Sequence, residues 1–424
     1  MPHPRPRGAS SRPDGTGPFD VNSKTSLRLT SREAATIAAN AVPHDPFADE
    51  LAHIRAAGLW RELRRIEGAV DTWVTVDGVR ALLLCSNNYL GLANHPALAT
   101  AAANAAHSAG VGAGASRLIS GSLAMHRDLE TRLARFKHTE AALLFPTGYH
   151  ANVGAITALV RRGDAVFSDA LNHASIIDGC RLSGATVHVY PHADARALDD
   201  QLARHPARRR LVVTDSVFSM DGDHAPLRDI VAVATAHDAM VMVDEAHATG
   251  VEGPSGAGLV EALGLGDAIT VQMGTLGKAL GVAGAFVAGS RSLIELLVNR
   301  ARSFIYTTAL PPPIVAAVDA ALDVVEREPE RRARVATIAA TLRDRLRGLG
   351  FEIPPGAGPI IPVLTGSSER ALAWSRGLLE RGVFVQAIRP PTVPDGTARL
   401  RVTVMATHTD ADLAYAVDAF QGLR

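Results

Sequence analysis

The chain has 424 residues, too many for one compact core, so two or three lobes are the default expectation. Lys plus Arg and Asp plus Glu both number 43, which argues against a nucleic-acid binder that relies on a basic surface. Cys85 and Cys180 lack metal-ligand spacing and read as reduced thiols, no apolar run reaches the roughly 20 residues that cross a bilayer, and the N-terminus has no apolar secretory segment, so a cytoplasmic protein without membrane contact is expected.

Residues 1–45 are rich in Pro, Arg, Ser, Gly and Asn and lack apolar periodicity, which predicts a disordered extension. Its arginines suggest a targeting peptide, against which Asp14 and Asp20 speak. Residues 46–93 predict a helix carrying Leu51, Ile54, Leu59 and Leu63, then two strands, Trp73–Val79 and Ala81–Cys85, around an Asp-Gly turn. From 94 to 308, apolar strands alternate with helical patterns: 142–145, 165–168, 186–190, 211–215, 240–244, 270–273 and 285–288. That alternation predicts an α/β domain with a mostly parallel central sheet flanked by helices. Pro311-Pro312-Pro313 marks a boundary, and residues 309–424 predict a smaller α+β domain, with helices over 314–325 and 331–349 and strands near 360–364 and 399–404.

Several polar clusters fall at predicted strand ends, where α/β proteins place their chemistry. Gly110 to Gly121 is glycine-rich, but no clear strand precedes it and its spacing is not that of a dinucleotide fingerprint, so it reads as a loop lying close to a ligand or a neighbouring subunit. Pro146-Thr147-Gly148-Tyr149 ends a strand and opens a helix, either a phosphate cup or an ordinary junction. His173, in Asn172-His173-Ala174-Ser175, is either a ring that stacks on a cofactor or a structural loop histidine. The acid-rich run Asp215 to Asp223 lacks the final Glu of a calcium loop, so no metal is expected there. An apolar run, Met240 to Val243, leads into Asp244-Glu245-Ala246-His247, and Thr275-Leu276-Gly277-Lys278 follows. A Lys one helical turn from a Thr, downstream of a strand-end Asp, suggests pyridoxal phosphate (PLP): the Lys forms a Schiff base with the aldehyde, the Asp pairs with the pyridinium nitrogen, and the Thr donates to the phosphate. The acidic box also occurs in helicases, but Gln272 and Ala279 stand where a phosphate loop needs Gly and Ser or Thr. Arg389, stiffened by Pro390 and Pro391, is either a carboxylate grip or a surface ion pair.

From about residue 50 onward the chain resembles the α-oxoamine synthases, fold-type I PLP enzymes that condense an amino acid with an acyl thioester and release CO2. Ser86-Asn87-Asn88-Tyr89-Leu90-Gly91-Leu92, Asn172-His173-Ala174-Ser175, Phe218-Ser219-Met220-Asp221-Gly222, Asp244-Glu245-Ala246-His247 and Thr275-Leu276-Gly277-Lys278 stand in the family's order. The stretch Ile388 to Arg401 is similar to members that join L-alanine to a pimeloyl thioester, on CoA or acyl carrier protein, in biotin biosynthesis. Glycine-using relatives, which transfer an acetyl group, usually carry a Tyr-Pro pair where this chain has Arg389-Pro390-Pro391. The resemblance implies that Lys278 holds PLP and then acts as base, Asp244 pairs with the ring nitrogen, and His173 stacks on the ring. It implies that His247 and Ser219 bind the ring oxygen, and that Thr275 with the amides of Gly148 and Tyr149 binds phosphate. It places Arg389, Asn87, Thr392 and Arg61 at the substrates, and it implies a homodimer in which Thr308 reaches the neighbouring subunit's phosphate.

Overall fold

The computed structural model describes residues 45–423. The extension expected over 1–45 therefore lies outside the described residues but for its last one. The chain divides into two compact units at Leu63/Arg64. In the first, the expected helix runs only Ala48–Ala56, with no buried residue, so Leu51 and Ile54 lie on it and Leu59 and Leu63 fall beyond its end; the Arg55 guanidinium sits 4.0 Å over the Trp60 ring.

The second unit is built on a seven-stranded sheet in the order Ala141–Phe145, Ala285–Gly289, Val271–Thr275, Met240–Asp244, Arg210–Asp215, Ala165–Asp169, Thr186–Tyr190. Within it, only Ala285–Gly289 runs antiparallel to its neighbours. Continuous apolar runs such as Met240-Val241-Met242-Val243 alternate faces every residue, so such strands must be covered on both sides. Two buried clusters do this: Val241 and Val243 point into one, Met242 with Val271 and Met273 into the other. Each of the seven expected strands is present within two residues of its expected ends.

The hairpin Trp73–Val76 and Val79–Leu83 forms about Asp77-Gly78, as its turn residues predict. It does not stand alone: Val383–Phe384 adds to it in parallel, pairing Val383 with Leu82. A three-stranded antiparallel sheet, Ile360–Gly366, Ala398–Thr403 and Gln386–Ile388, completes the C-terminal part. The proline run is not itself a break: a helix begins inside it, at Pro312, and runs to Arg327. Proline suits a first helical turn because its missing N–H has no intrahelical acceptor there.

Candidate active site

The carboxyl ends of the parallel strands gather most of the expected polar residues. Asp244 ends its strand at 3% exposure. Its Oδ2 accepts from Asn152 Nδ2 at 2.7 Å and its Oδ1 from the Ala246 amide at 2.9 Å, neither donor carrying a charge. A buried carboxylate met only by neutral donors suits a cationic ring nitrogen.

Lys278 follows the next strand, but not in a helix. Thr275 ends the strand, and Leu276, Gly277 and Lys278 step through bends, which corrects the helical turn read from the spacing. The loop is pinned at Gly281, where φ is +72° and a Cβ would lie 2.5 Å from the Ala93 amide nitrogen. That contact sets the Lys278 loop against the segment carrying Asn87 and Tyr89. Lys278 is half-buried as a residue, with its amine 3.0 Å from His247 Nε2. Burial of the amine, with the Arg401 charge, lowers its pKa from 10.5 to about 8 against the opposing pull of Asp244 and Asp215. His247 is held well below the ordinary histidine range, first by burial and then by the charges of Lys278, Arg401 and His173. Asp215 is pushed well above the usual carboxylate range by burial and by Asp244.

His173 is exposed on the neighbouring loop, its Nδ1 2.8 Å from Ser175 Oγ, which Asn152 Nδ2 also reaches at 2.8 Å. The His173 amide donates to Asp215 Oδ2 at 2.8 Å, so the two strand-end loops are tied together. Gly148 opens the helix Gly148–Leu159 behind the cap Thr147, and the Gly148 and Tyr149 amides have no intrahelical acceptor. A Cβ on Gly148 would meet Thr275 Cγ2 at 2.7 Å, so only glycine lets the helix start come this close to the strand end. A helix start beside a threonine suits a phosphate. The donor set as a whole fits PLP: amine for aldehyde, carboxylate for ring nitrogen, helix N-terminus for phosphate.

The remaining expected residues are more scattered. Ser219 is half-buried, and its carbonyl accepts from Arg401 Nε. Asn87 is half-buried and accepts from Arg401 Nη1 at 3.0 Å. Thr392 lines a cavity of about 430 Å³ with Asn172, Phe218 and Asp221, and its amide donates to the Arg389 carbonyl at 3.1 Å. Arg389 is half-buried beside that cavity wall. Thr308 is exposed and bridges to Ser116. Arg61 is exposed in the first unit.

Sequence reading missed Asn152, Tyr89, Arg401 and Lys137. Asn152 lies one helical turn from Gly148, the spacing that returns a side chain to the same face. Arg399 and Arg401 alternate with buried Leu400 and Val402 in one strand, and two arginines on one face of a buried strand are a signal in themselves. Arg399 pairs with Asp221. Lys137 forms a fully buried ion pair with Glu245 and also donates to the Ala257 carbonyl, while Glu245 Oε1 accepts from the Val260 amide at 2.9 Å. Lys137→Met leaves that carboxylate charged and short of its partner, so unfolding stability should fall by about 3–5 kcal/mol. Urea unfolding reads the loss directly, and the double variant Lys137→Met/Glu245→Gln should recover part of it.

Comparison with known proteins agrees with this geometry. The family model described as aminotransferase class I and II matches residues 79–420. An 8-amino-7-oxononanoate synthase of Geobacter sulfurreducens is 55% identical over 377 residues, covering 88% of this chain and 96% of the relative. One from Anaeromyxobacter dehalogenans is 56% identical over 369 residues, covering 87% and 93%. The serine palmitoyltransferase of S. paucimobilis, solved with bound PLP and myriocin, superposes with a TM-score of 0.85 at 34% identity over 89% of this chain and 97% of that one. A mostly parallel sheet with its polar residues at the carboxyl ends, a family model spanning four-fifths of the chain and relatives above 50% identity agree: the chain belongs to the class I and II aminotransferase family and, within it, to the α-oxoamine synthases, with the fold-type I architecture.

Proposed function

We propose that the chain catalyses the PLP-dependent condensation of L-alanine with a pimeloyl thioester, on CoA or acyl carrier protein, releasing CO2 and the carrier and giving 8-amino-7-oxononanoate for biotin biosynthesis. One observation carries the chemistry: a Lys278 amine 3.0 Å from His247, with the buried Asp244 at the adjoining strand end. The 55% identity to a curated synthase over 88% of the chain supports the substrate pair.

PLP, when bound, supplies an electron sink for the pair released as a bond to the amino acid's Cα breaks. Lys278 takes the Cα proton at Nζ. A pKa lowered from 10.5 to about 8 raises its neutral fraction at pH 7 roughly 300-fold, which suits a base. Asp244 would hold the ring nitrogen's charge, and His173 would stack on the ring. His247 and Ser219 hold the ring oxygen. Thr275 and the Gly148 and Tyr149 amides hold the phosphate. Arg389 grips the substrate carboxylate, Asn87 and Thr392 bind substrate, and Arg61 serves the acyl substrate or its carboxylate. Residues 94–308 act as the cofactor domain and 309–424 as the smaller domain. The protein works in the cytoplasm as a homodimer that shares its sites, with Thr308 directed to the other copy's phosphate. Val111, Ile119 and Tyr306, apolar and 70–80% exposed, support such an interface, since Ser116 and Thr308 bridge among them.

The test is CoA release and product mass from the PLP-loaded chain with pimeloyl-CoA and, in turn, L-alanine, glycine and L-serine. Turnover with alanine above the other two is expected. Turnover confined to glycine with acetyl-CoA would make the chain a glycine C-acetyltransferase, and none with any pair would overturn the reading.

A further inference from the structure

Tyr89 is wholly buried, and its hydroxyl lies among three polar groups. It sits 2.7 Å from His247 Nδ1, 3.1 Å from Asn87 Oδ1 and 3.5 Å from Arg401 Nη2. Arg401 can only donate. Its Nη1 reaches Asn87 at 3.0 Å, so the atom Asn87 turns toward both groups is its oxygen. Tyr89 therefore has two possible acceptors for its single proton, Asn87 Oδ1 and His247 Nδ1.

The far side of the imidazole faces Lys278 Nζ at 3.0 Å. An ammonium has no lone pair, so a protonated Lys278 must donate to Nε2. The ring's one proton is then on Nδ1 and donates to the Tyr89 oxygen, and the tyrosine gives its own proton to Asn87. A neutral amine can instead accept from Nε2–H, and Tyr89 then donates to Nδ1. In both states every buried donor has an acceptor only because the hydroxyl can turn from one to the other. We infer that Tyr89 is a positioning residue that lets His247 exchange tautomers with the protonation of Lys278, accepting from the ammonium and donating to the free amine.

The surroundings keep this exchange between neutral tautomers. Burial and the charges of Lys278, Arg401 and His173 hold His247 well below the ordinary range, so the imidazolium does not compete near neutrality. Asp244 and Asp215 favour the ammonium of Lys278, and burial and Arg401 oppose it. The inference rests on Lys278 as the proton acceptor of the proposed reaction, but its readout is a tautomer and needs neither substrate.

The experiment is long-range proton–nitrogen spectroscopy of the full-length, histidine-labelled chain without PLP, from about pH 6 to about pH 10. His247 should carry its proton on Nδ1 below the Lys278 midpoint at about 8 and on Nε2 above it. Tyr89→Phe removes the acceptor for Nδ1–H, which disfavours the ammonium state. Tyr89→Phe should therefore show the Nε2–H tautomer throughout and a Lys278 midpoint lowered by about one unit. In the PLP-loaded enzyme, kcat should fall about tenfold with KM changed less than about twofold. A wild-type His247 whose tautomer does not follow pH overturns the inference, and that titration does not depend on the variant folding. An unchanged tautomer in folded Tyr89→Phe overturns it equally. Loss of the alanine–pimeloyl reading alone would leave the tautomer titration as stated.

Discussion

Lys278→Ala abolishes turnover, to less than about 10⁻⁴ of the parent rate, while the chain folds normally. Two functions leave with the amine: the nucleophile that retains the cofactor and the base at the substrate's Cα, the second alone commonly contributing about 10²–10⁴-fold. Folding is not at risk, because among the described residues the amine forms no carboxylate pair. The amine meets His247 Nε2, and burial works against its charged form. Removing it lifts that penalty and exposes one imidazole nitrogen to the space vacated. Two measurements separate loss of chemistry from loss of fold. Thermal melting should stay within a few degrees of the parent. Borohydride reduction of the PLP-treated chain followed by mass spectrometry should add PLP to the parent at Lys278 and not to the variant. Retained turnover in a chain that melts normally would overturn the assignment of Lys278.

Much of this site was legible because its residues sit where the backbone changes type. Asp244, His173 and Gly148 each follow an apolar run that cannot be anything but a covered strand, so strand, terminus and polar residue could be read together. Lys278 was legible as a residue but not in its conformation. The spacing from Thr275 allowed a helical turn, and what bends the chain instead is the approach of Gly281 to the Ala93 backbone, a contact between segments almost 190 residues apart. The same separation hid the second layer. Arg401 meets Ser219, Asn87 and Tyr89 from a strand more than 180 residues beyond the nearest of them, and Lys137 meets Glu245 across 108. Neither carries a local pattern that names its partner. The pairing of Val383 with Leu82 was invisible for a related reason. A two-residue edge strand has too little periodicity to read, and register fixes it only once both sides are folded.

Asp244→Asn should divide what the two central residues do. Turnover should fall roughly 10³-fold, about 4 kcal/mol of barrier, because a neutral amide cannot hold a positive ring nitrogen. The amide is also a poor guest: Asp244 accepts on both oxygens, from Asn152 and from Ala246, and an asparagine there must face one of those donors with its own N–H. The electrostatic consequence runs the other way. The Asp244 charge raises the pKa of Lys278 toward its ordinary value, so its removal leaves burial and Arg401 less opposed, and the amine should titrate below about 8. Asp215 should shift in the same direction, since Asp244 is one of the causes holding it up. A variant that turns over a thousandth as fast should thus carry a more reactive lysine. Acetylation of Lys278 in the PLP-free chain, followed by peptide mass spectrometry across pH, measures that directly. A labelling midpoint below the parent's together with the rate loss is the expected pair of results. A midpoint that rises or stays in place would mean that Asp244 does not act on Lys278 through its charge, and the rate loss would then have to be assigned to cofactor placement instead.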